Sequence, residues 1–210
     1  MINKILDKIA GKQKVSEGEQ KLLEEELQKL LSQPPQPDLR VIGFFSDVSD
    51  EKIAELIHAL IYLDEINRLT EEERAVEFYI STYGGSADDM FGMYDIMRVI
   101  RERTPIQTIG LGKVMSAGVL LLAAGTKGKR CIGKNCRVMV HSVIGGSHGP
   151  LHNLMNEMEA IEQIQKMYSE ALIEETNMTK KDLKKLLERK VNVYLSAEEA
   201  VELGIADVII

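Results

Sequence analysis

GLGKVMSAGVLLLAAGTKGKRCIGKNCRVMVH, residues 110 to 141, decides how the rest of the chain is read. Apolar and β-branched residues over Ile106–Leu111 predict a strand, and Gly112 breaks the pattern. Ser116-Ala117-Gly118 then opens the apolar run Val119–Ala124, which Gly125 closes. This is a strand, a tight turn and a buried helix, with Ser116 at the helix start. A serine there has two available roles. It caps the helix by accepting a backbone N–H bond, or it is a nucleophile whose reaction oxyanion meets free N–H groups at the positive end of the helix dipole. On spacing alone the cap is the commoner role, and the G-x-S-x-G pattern is absent because Val114 stands at its first glycine.

His141 ends the strand-like run Arg137–His141, and Ser142–Gly149 breaks into glycine and polar residues. A histidine where a strand opens into a loop is placed as a base would be, although a lone one there is commonly just a polar strand terminus. Upstream, Ala75–Thr82 reads as a strand, Tyr83-Gly84-Gly85-Ser86 as a turn, and Ala87–Arg101 as a helix with Met90, Met93, Tyr94 and Met97 on one face. The paired glycines serve either a turn that needs positive φ or half of an oxyanion hole built from backbone N–H groups.

The order strand-YGGS-helix, then GLGKVMSAGVLLLAAGTKGKR, RVMVHSVIGG and LSAEEAVELGIADVII closely resembles the ClpP family of self-compartmentalising serine proteases, from about Leu39 to Ile210. The resemblance implies an α/β fold, the ClpP/crotonase-like repeated β-β-α superhelix with a protruding handle helix. It implies Ser116 as nucleophile, His141 as base, and the backbone N–H groups of Gly85 and Ala117 as the oxyanion hole. Counting back from Ser196-Ala197, the family's catalytic aspartate falls on Glu188, a change of residue type that still leaves a carboxylate to orient the imidazole. Asn192 and Asp182 remain candidates in that segment. Lys113 offers a Ser-Lys dyad, but strand alternation points it elsewhere.

As assembly, the resemblance implies a homo-oligomer of two stacked heptameric rings, fed with unfolded polypeptides by an AAA+ unfoldase such as a Clp ATPase. No G-x-x-x-x-G-K-[ST] occurs, so no cofactor is expected in this chain and ATP use would belong to that partner. Two other readings share the pattern. One is a catalytically inactive structural subunit of a mixed ring. The other is a crotonase-like acyl-CoA enzyme, which needs neither Ser116 nor His141.

The 210 residues suit one domain or one domain with an appendage. With 33 acidic against 26 basic side chains, the net charge of −7 argues against nucleic acid and anionic membranes as partners. No apolar run reaches the roughly 18 residues a membrane span needs. Met1–Lys14 lacks a signal-peptide core, so a cytoplasmic protein is expected. Cys131 and Cys136 read as two reduced thiols rather than a metal pair.

Ser16–Leu31 is charged and helical, and Ser32–Pro37 stops it with tandem prolines. Residues 1–38 are therefore read as an N-terminal charged helical extension with a proline-rich linker, and 39–210 as the protease-like domain. The extension does not match the family's usual N-terminal region. From Leu39 onward, a strand at Val41–Phe45 precedes an amphipathic helix over Ile53–Leu69, its expected stripe being Ile53, Leu56, Ile57, Leu60, Ile61 and Leu69. Strands alternating with helices predict a parallel sheet. A long helix at about 151–176 carries Leu151, Leu154, Met158, Ile161, Tyr168 and Leu172 in a near-heptad stripe, read as an oligomer contact. His148 and His152 at its start lack a carboxylate or cysteine partner and read as polar surface residues. Thr179–Asp182 and Ser196–Glu199 read as capping boxes.

Overall fold

In the computed structural model the chain divides into two units, Met1–Leu39 and Arg40–Ile210. Residues 39–187 and 192–210 are described, together with Gly18, Lys21, Leu22 and Glu25. Apart from those isolated positions, the helix read over 16–31 and the proline-rich linker lie outside the described residues, as does Glu188.

In the second unit β1 (Val41–Phe44), β2 (Val76–Thr82) and β3 (Ile106–Met115) lie side by side and parallel. The crossovers are α1 (Asp50–Thr70) and α2 (Ala87–Ile100). Phe44, Val76, Phe78, Ile80 and Ile106 are completely buried between strand and helix layers. α2 buries Met90, Met93, Tyr94 and Met97, the face its spacing predicts.

α1 departs from its expected stripe. The buried line is Ile53, Leu56, Leu60 and Leu63, continued by Asp64 and Asn67, whereas Ile61 and Leu69 are 42% and 74% exposed. Steps of about 3.6 residues from Ile53 arrive at Asn67, and Leu69 falls on the far side. The polar end of that line is satisfied internally. Asn67 Oδ1 accepts from Arg40 Nη1 at 2.6 Å, Asn67 Nδ2 donates to Thr104 Oγ1 at 2.9 Å, and Asp64 Oδ1 accepts from Thr104 at 2.8 Å.

β3 runs beyond its expected end because Gly112, at φ 65°, bends the strand instead of stopping it. Before the bend Ile109 and Gly110 pair with β4 (Cys131–Ile132), which pairs in turn with β7 (Val208–Ile209). After it Lys113–Met115 pair with β5 (Arg137–Val140). One strand thus feeds two diverging leaves. β5 pairs antiparallel with β6 (Val193–Leu195), an exception to the parallel sheet that alternation predicts. Because Met115 is in register with Met139, the chain leaves β3 and β5 at the same edge, with Ser116 and His141 just past it.

Behind that edge α3 (Ala117–Ala123) is buried along its whole length. α4 (Leu151–Glu175) is long, and the stripe read on it divides in two. Tyr168 and Leu172 pack into this chain's own core, whereas Leu151 and Met158 are 68% and 63% exposed. α5 (Lys180–Leu187) starts on reciprocal bonds between Thr179 and Asp182, and α6 (Ala197–Glu202) on a complete Ser196–Glu199 capping box.

Three buried groups are expected to make the fold sensitive to alkali. Burial, helped by the negative charge of Glu175, holds the Tyr94 phenol far above the ordinary range; burial alone does so for Tyr168 and pushes the Cys136 thiol up to about 11. The folded chain keeps these protons where the unfolded chain has released them. Their contribution is therefore complete below the unfolded values, about 8.5 for cysteine and about 10 for tyrosine, and declines as pH rises through the folded ones. Urea midpoints are expected to fall steadily from about pH 9 upward, and Tyr94→Phe should flatten that slope; an unchanged slope would contradict the assignment.

Candidate active site

Ser116 follows β3 directly and sits at φ 53°, ψ −122°, a conformation that costs a non-glycine residue about 1–3 kcal/mol and persists only where surroundings over-determine it. Its N–H donates to the Met139 carbonyl at 2.8 Å across the leaf. Its own carbonyl accepts from Val119 N–H at 3.0 Å and from the Tyr168 hydroxyl at 3.0 Å. The side chain makes no capping bond to α3. Instead Ser116 Oγ lies 2.8 Å from His141 Nε2. The cap reading therefore loses to the pairing.

His141 Nδ1 lies 2.5 Å from the Ser142 carbonyl oxygen. A carbonyl only accepts, so Nδ1 carries the proton and the Nε2 lone pair faces the serine hydroxyl, which donates to it. The segment beyond is tied down at two points. Ser142 Oγ donates to the Leu187 carbonyl at 2.7 Å, and Val143 N–H donates to Gln165 Oε1 on α4 at 2.7 Å.

The two glycines bring backbone where side chains do not fit. Gly84 and Gly85 have φ 100° and 148°; a Cβ on Gly84 would lie 2.6 Å from that of Ser116, and one on Gly85 2.2 Å from the Val48 carbonyl oxygen. Gly84 N–H is taken by Thr82 Oγ1 at 3.0 Å. Val48 bridges the turn, donating to the Gly84 carbonyl at 2.8 Å and accepting from Ser86 N–H at 3.0 Å. Gly85 N–H is left without a partner among the described residues, as is Ala117 N–H at the start of α3. Free amides beside a serine–histidine pair are what stabilisation of an oxyanion requires.

Ser116, Ala117, Gly85 and His141 share a cleft of about 410 Å³, whose apolar wall includes Met90, Ile144, Ile164 and Tyr168. A larger cavity of about 880 Å³ lies between α4 and α5, lined by Ile161, Ile173, Leu183 and Leu187, and reaches neither Ser116 nor His141. The serine–histidine pair lies in the smaller one.

The candidate acids fare differently. Asp182 is not brought to the imidazole; its carboxylate accepts from the Thr179 hydroxyl at 2.6 Å, and those bonds hold its pKa below the usual range. Asn192 is exposed and makes no bond to His141. Lys113 turns its ammonium over the Tyr83 ring, 4.6 Å from the centroid, as strand alternation predicts. No local sequence pattern marks Ser142, Gln165 or Tyr168 for this site. The one signal is the polar tip that Tyr168 carries on an otherwise apolar stripe.

Residues 33–210 match the family model described as Clp protease. A similar relative is the ATP-dependent Clp protease proteolytic subunit 2 of Corynebacterium jeikeium (strain K411), 32% identical over 169 residues, which cover 80% of this chain and 77% of the relative.

Proposed function

The chain belongs to the Clp protease family, and from that premise we propose that it is an active serine endopeptidase subunit of a ring-forming protease. The observation that carries this reading is the 2.8 Å contact between Ser116 Oγ and His141 Nε2, with the proton of the imidazole on its far nitrogen. Ser116 attacks the peptide carbonyl as Nε2 takes its proton; the carbonyl oxygen, now anionic, is received by the Gly85 and Ala117 amides. Collapse expels the amine, protonated by His141, and leaves an acyl-serine. Water repeats the sequence and releases the acid.

Glu188 is the acid this reading assigns behind His141, by the family resemblance. Since the Ser142 carbonyl already orients Nδ1–H, Glu188→Ala should lower kcat by on the order of 10²-fold, well short of losing the nucleophile. Steady-state peptide kinetics check this. A loss equal to that of Ser116→Ala would mean that the main-chain carbonyl cannot substitute for a carboxylate.

The assembly follows from the same reading: two stacked heptameric rings enclosing the sites, substrates that are unfolded polypeptides, an ATP-driven unfoldase supplying them, no cofactor in this chain and a cytoplasmic setting. The exposed stretch of α4 around Leu151 and Met158 offers the apolar surface for ring contact. Among the described residues no helix is long and apolar enough to cross a membrane.

An inactive ring subunit is the competing reading, kept open because among the described residues no carboxylate is bonded to His141. Fluorophosphonate labelling separates the two. An active subunit incorporates the probe at Ser116 and hydrolyses casein or a small peptide; an inert one does neither.

A further inference from the structure

The peptide unit joining Ser116 to Ala117 is engaged at one end and open at the other. Its carbonyl accepts from the Tyr168 hydroxyl at 3.0 Å and from Val119 N–H at 3.0 Å, while its N–H belongs to Ala117, which lines the cleft, and has no partner among the described residues. We propose that Tyr168 is a positioning residue for catalysis, its phenol holding the Ser116 carbonyl so that the Ala117 N–H is directed at the oxyanion. The inference rests on the peptidase reading above.

Three physical facts carry it. A trans peptide is planar, so its C=O and N–H point in opposite directions, and whatever fixes one fixes the other. A carbonyl that accepts a hydrogen bond makes its own N–H a stronger donor, by about 10–30% per bond in condensed-phase estimates. Finally, Ser116 is held at positive φ, a conformation that relaxes unless its neighbours define it. Val119 N–H belongs to the first turn of α3 and moves with it. Tyr168 reaches in from α4, and so ties the same carbonyl to a separate element.

The Tyr168 side chain suits that duty. It is 5% exposed and is flanked on α4 by the buried residues Ala171 and Leu172, so its ring has little freedom. Burial keeps the phenol protonated, and hence a donor, through the neutral range. One turn earlier Gln165 holds Val143 N–H at 2.7 Å, two residues past His141. A single face of α4 therefore reaches both the nucleophile's backbone and the strand exit that carries the base.

Tyr168→Phe removes the hydroxyl and keeps the ring. Its kcat for a small peptide is expected to fall roughly tenfold, part of the 10²- to 10³-fold that deleting an oxyanion donor outright costs, with KM unchanged. Affinity for a peptide boronic acid, whose tetrahedral adduct puts an oxygen in the hole, should fall by the same factor, while affinity for the cleaved product peptide stays constant. 3-Fluorotyrosine at the same position, a stronger donor, should raise kcat; should the phenylalanine variant fold poorly, an unchanged kcat in this second variant overturns the proposal. The proposal is overturned if boronate affinity and kcat are unchanged in Tyr168→Phe, or if KM and product affinity shift instead. Failure of the peptidase reading is distinguishable, because then the wild type itself would neither cleave the peptide nor take up the boronate.

Discussion

Ser116→Ala is expected to lower kcat for peptide hydrolysis by on the order of 10⁴- to 10⁶-fold, with His141→Ala costing about as much and the double variant little more. Residues that act as one unit lose their joint effect once either is gone. Here the unit is visible as a hydroxyl donating to an imidazole nitrogen at 2.8 Å whose other nitrogen is committed to Ser142. Active-site titration and peptide kinetics on the three variants check this, and a double variant much slower than either single one would mean that the two side chains act separately. Stability should move the opposite way at this position. Positive φ at Ser116 is unfavourable for any side chain with a Cβ, so Ser116→Gly should unfold at a higher urea concentration than Ser116→Ala, by about 1 kcal/mol. On the peptidase proposal the serine is kept where its backbone is strained because its hydroxyl acts there, and comparing the glycine and alanine variants measures that strain.

Periodicity carried the sequence reading as far as elements and faces. The methionine face of α2 is legible because residues 90, 93, 94 and 97 fall on a single helical stripe. On α1 the same logic includes Ile61 and Leu69, which are exposed, and omits Leu63, Asp64 and Asn67, which are buried. Apolar character misleads wherever a core is closed by polar residues that bond one another, as Arg40, Asn67, Thr104 and Asp64 do. Gly112 shows a different limit. Glycine permits positive φ but does not say whether a strand ends or bends, and only long-range pairing with β5 decides that β3 goes on.

The serine and histidine are legible as residue types, while their pairing depends on a register between two strands that no local pattern encodes. Met115 opposite Met139 is what sets them side by side. The backbone donors were legible for a different reason: two consecutive glycines between strand and helix have few uses, and a Cβ at either would collide with backbone or with Ser116. Tyr168 was hidden because its ring satisfies the apolar stripe of α4. Its hydroxyl acts on a carbonyl 52 positions away in sequence, and only the folded chain brings the two together.

That dependence on α4 leads to Glu175, at the end of the same helix. The residue is 1% exposed in spite of its charge. Oε1 accepts from Tyr94 at 3.0 Å and from Arg101 Nη2 at 2.7 Å, and Oε2 from Arg101 Nη1 at 2.9 Å. Its backbone carbonyl accepts from Arg130 at 2.7 Å. Glu175→Ala would leave the Arg101 guanidinium, 17% exposed, without its counter-ion and Tyr94 without its acceptor. Breaking one side of such a pair costs about 3–5 kcal/mol. At roughly 2–4 °C per kcal/mol for a chain of this size, the melting midpoint should drop by on the order of 10 °C. Glu175→Gln keeps an acceptor for Tyr94 and should cost less than Glu175→Ala, although it too leaves the Arg101 charge uncompensated. Adding Arg101→Met to Glu175→Leu should recover much of the loss, since the desolvated charge is then gone from both sides. Thermal unfolding of the three variants tests this, and equal midpoints for Glu175→Ala and the apolar pair would mean that the unpaired cation is not the cause. Glu175 also lies two turns beyond Tyr168 on the same buried face. A loosened anchor should therefore shift the phenol that holds Ser116, so that Glu175→Ala loses kcat at temperatures well below its own unfolding transition.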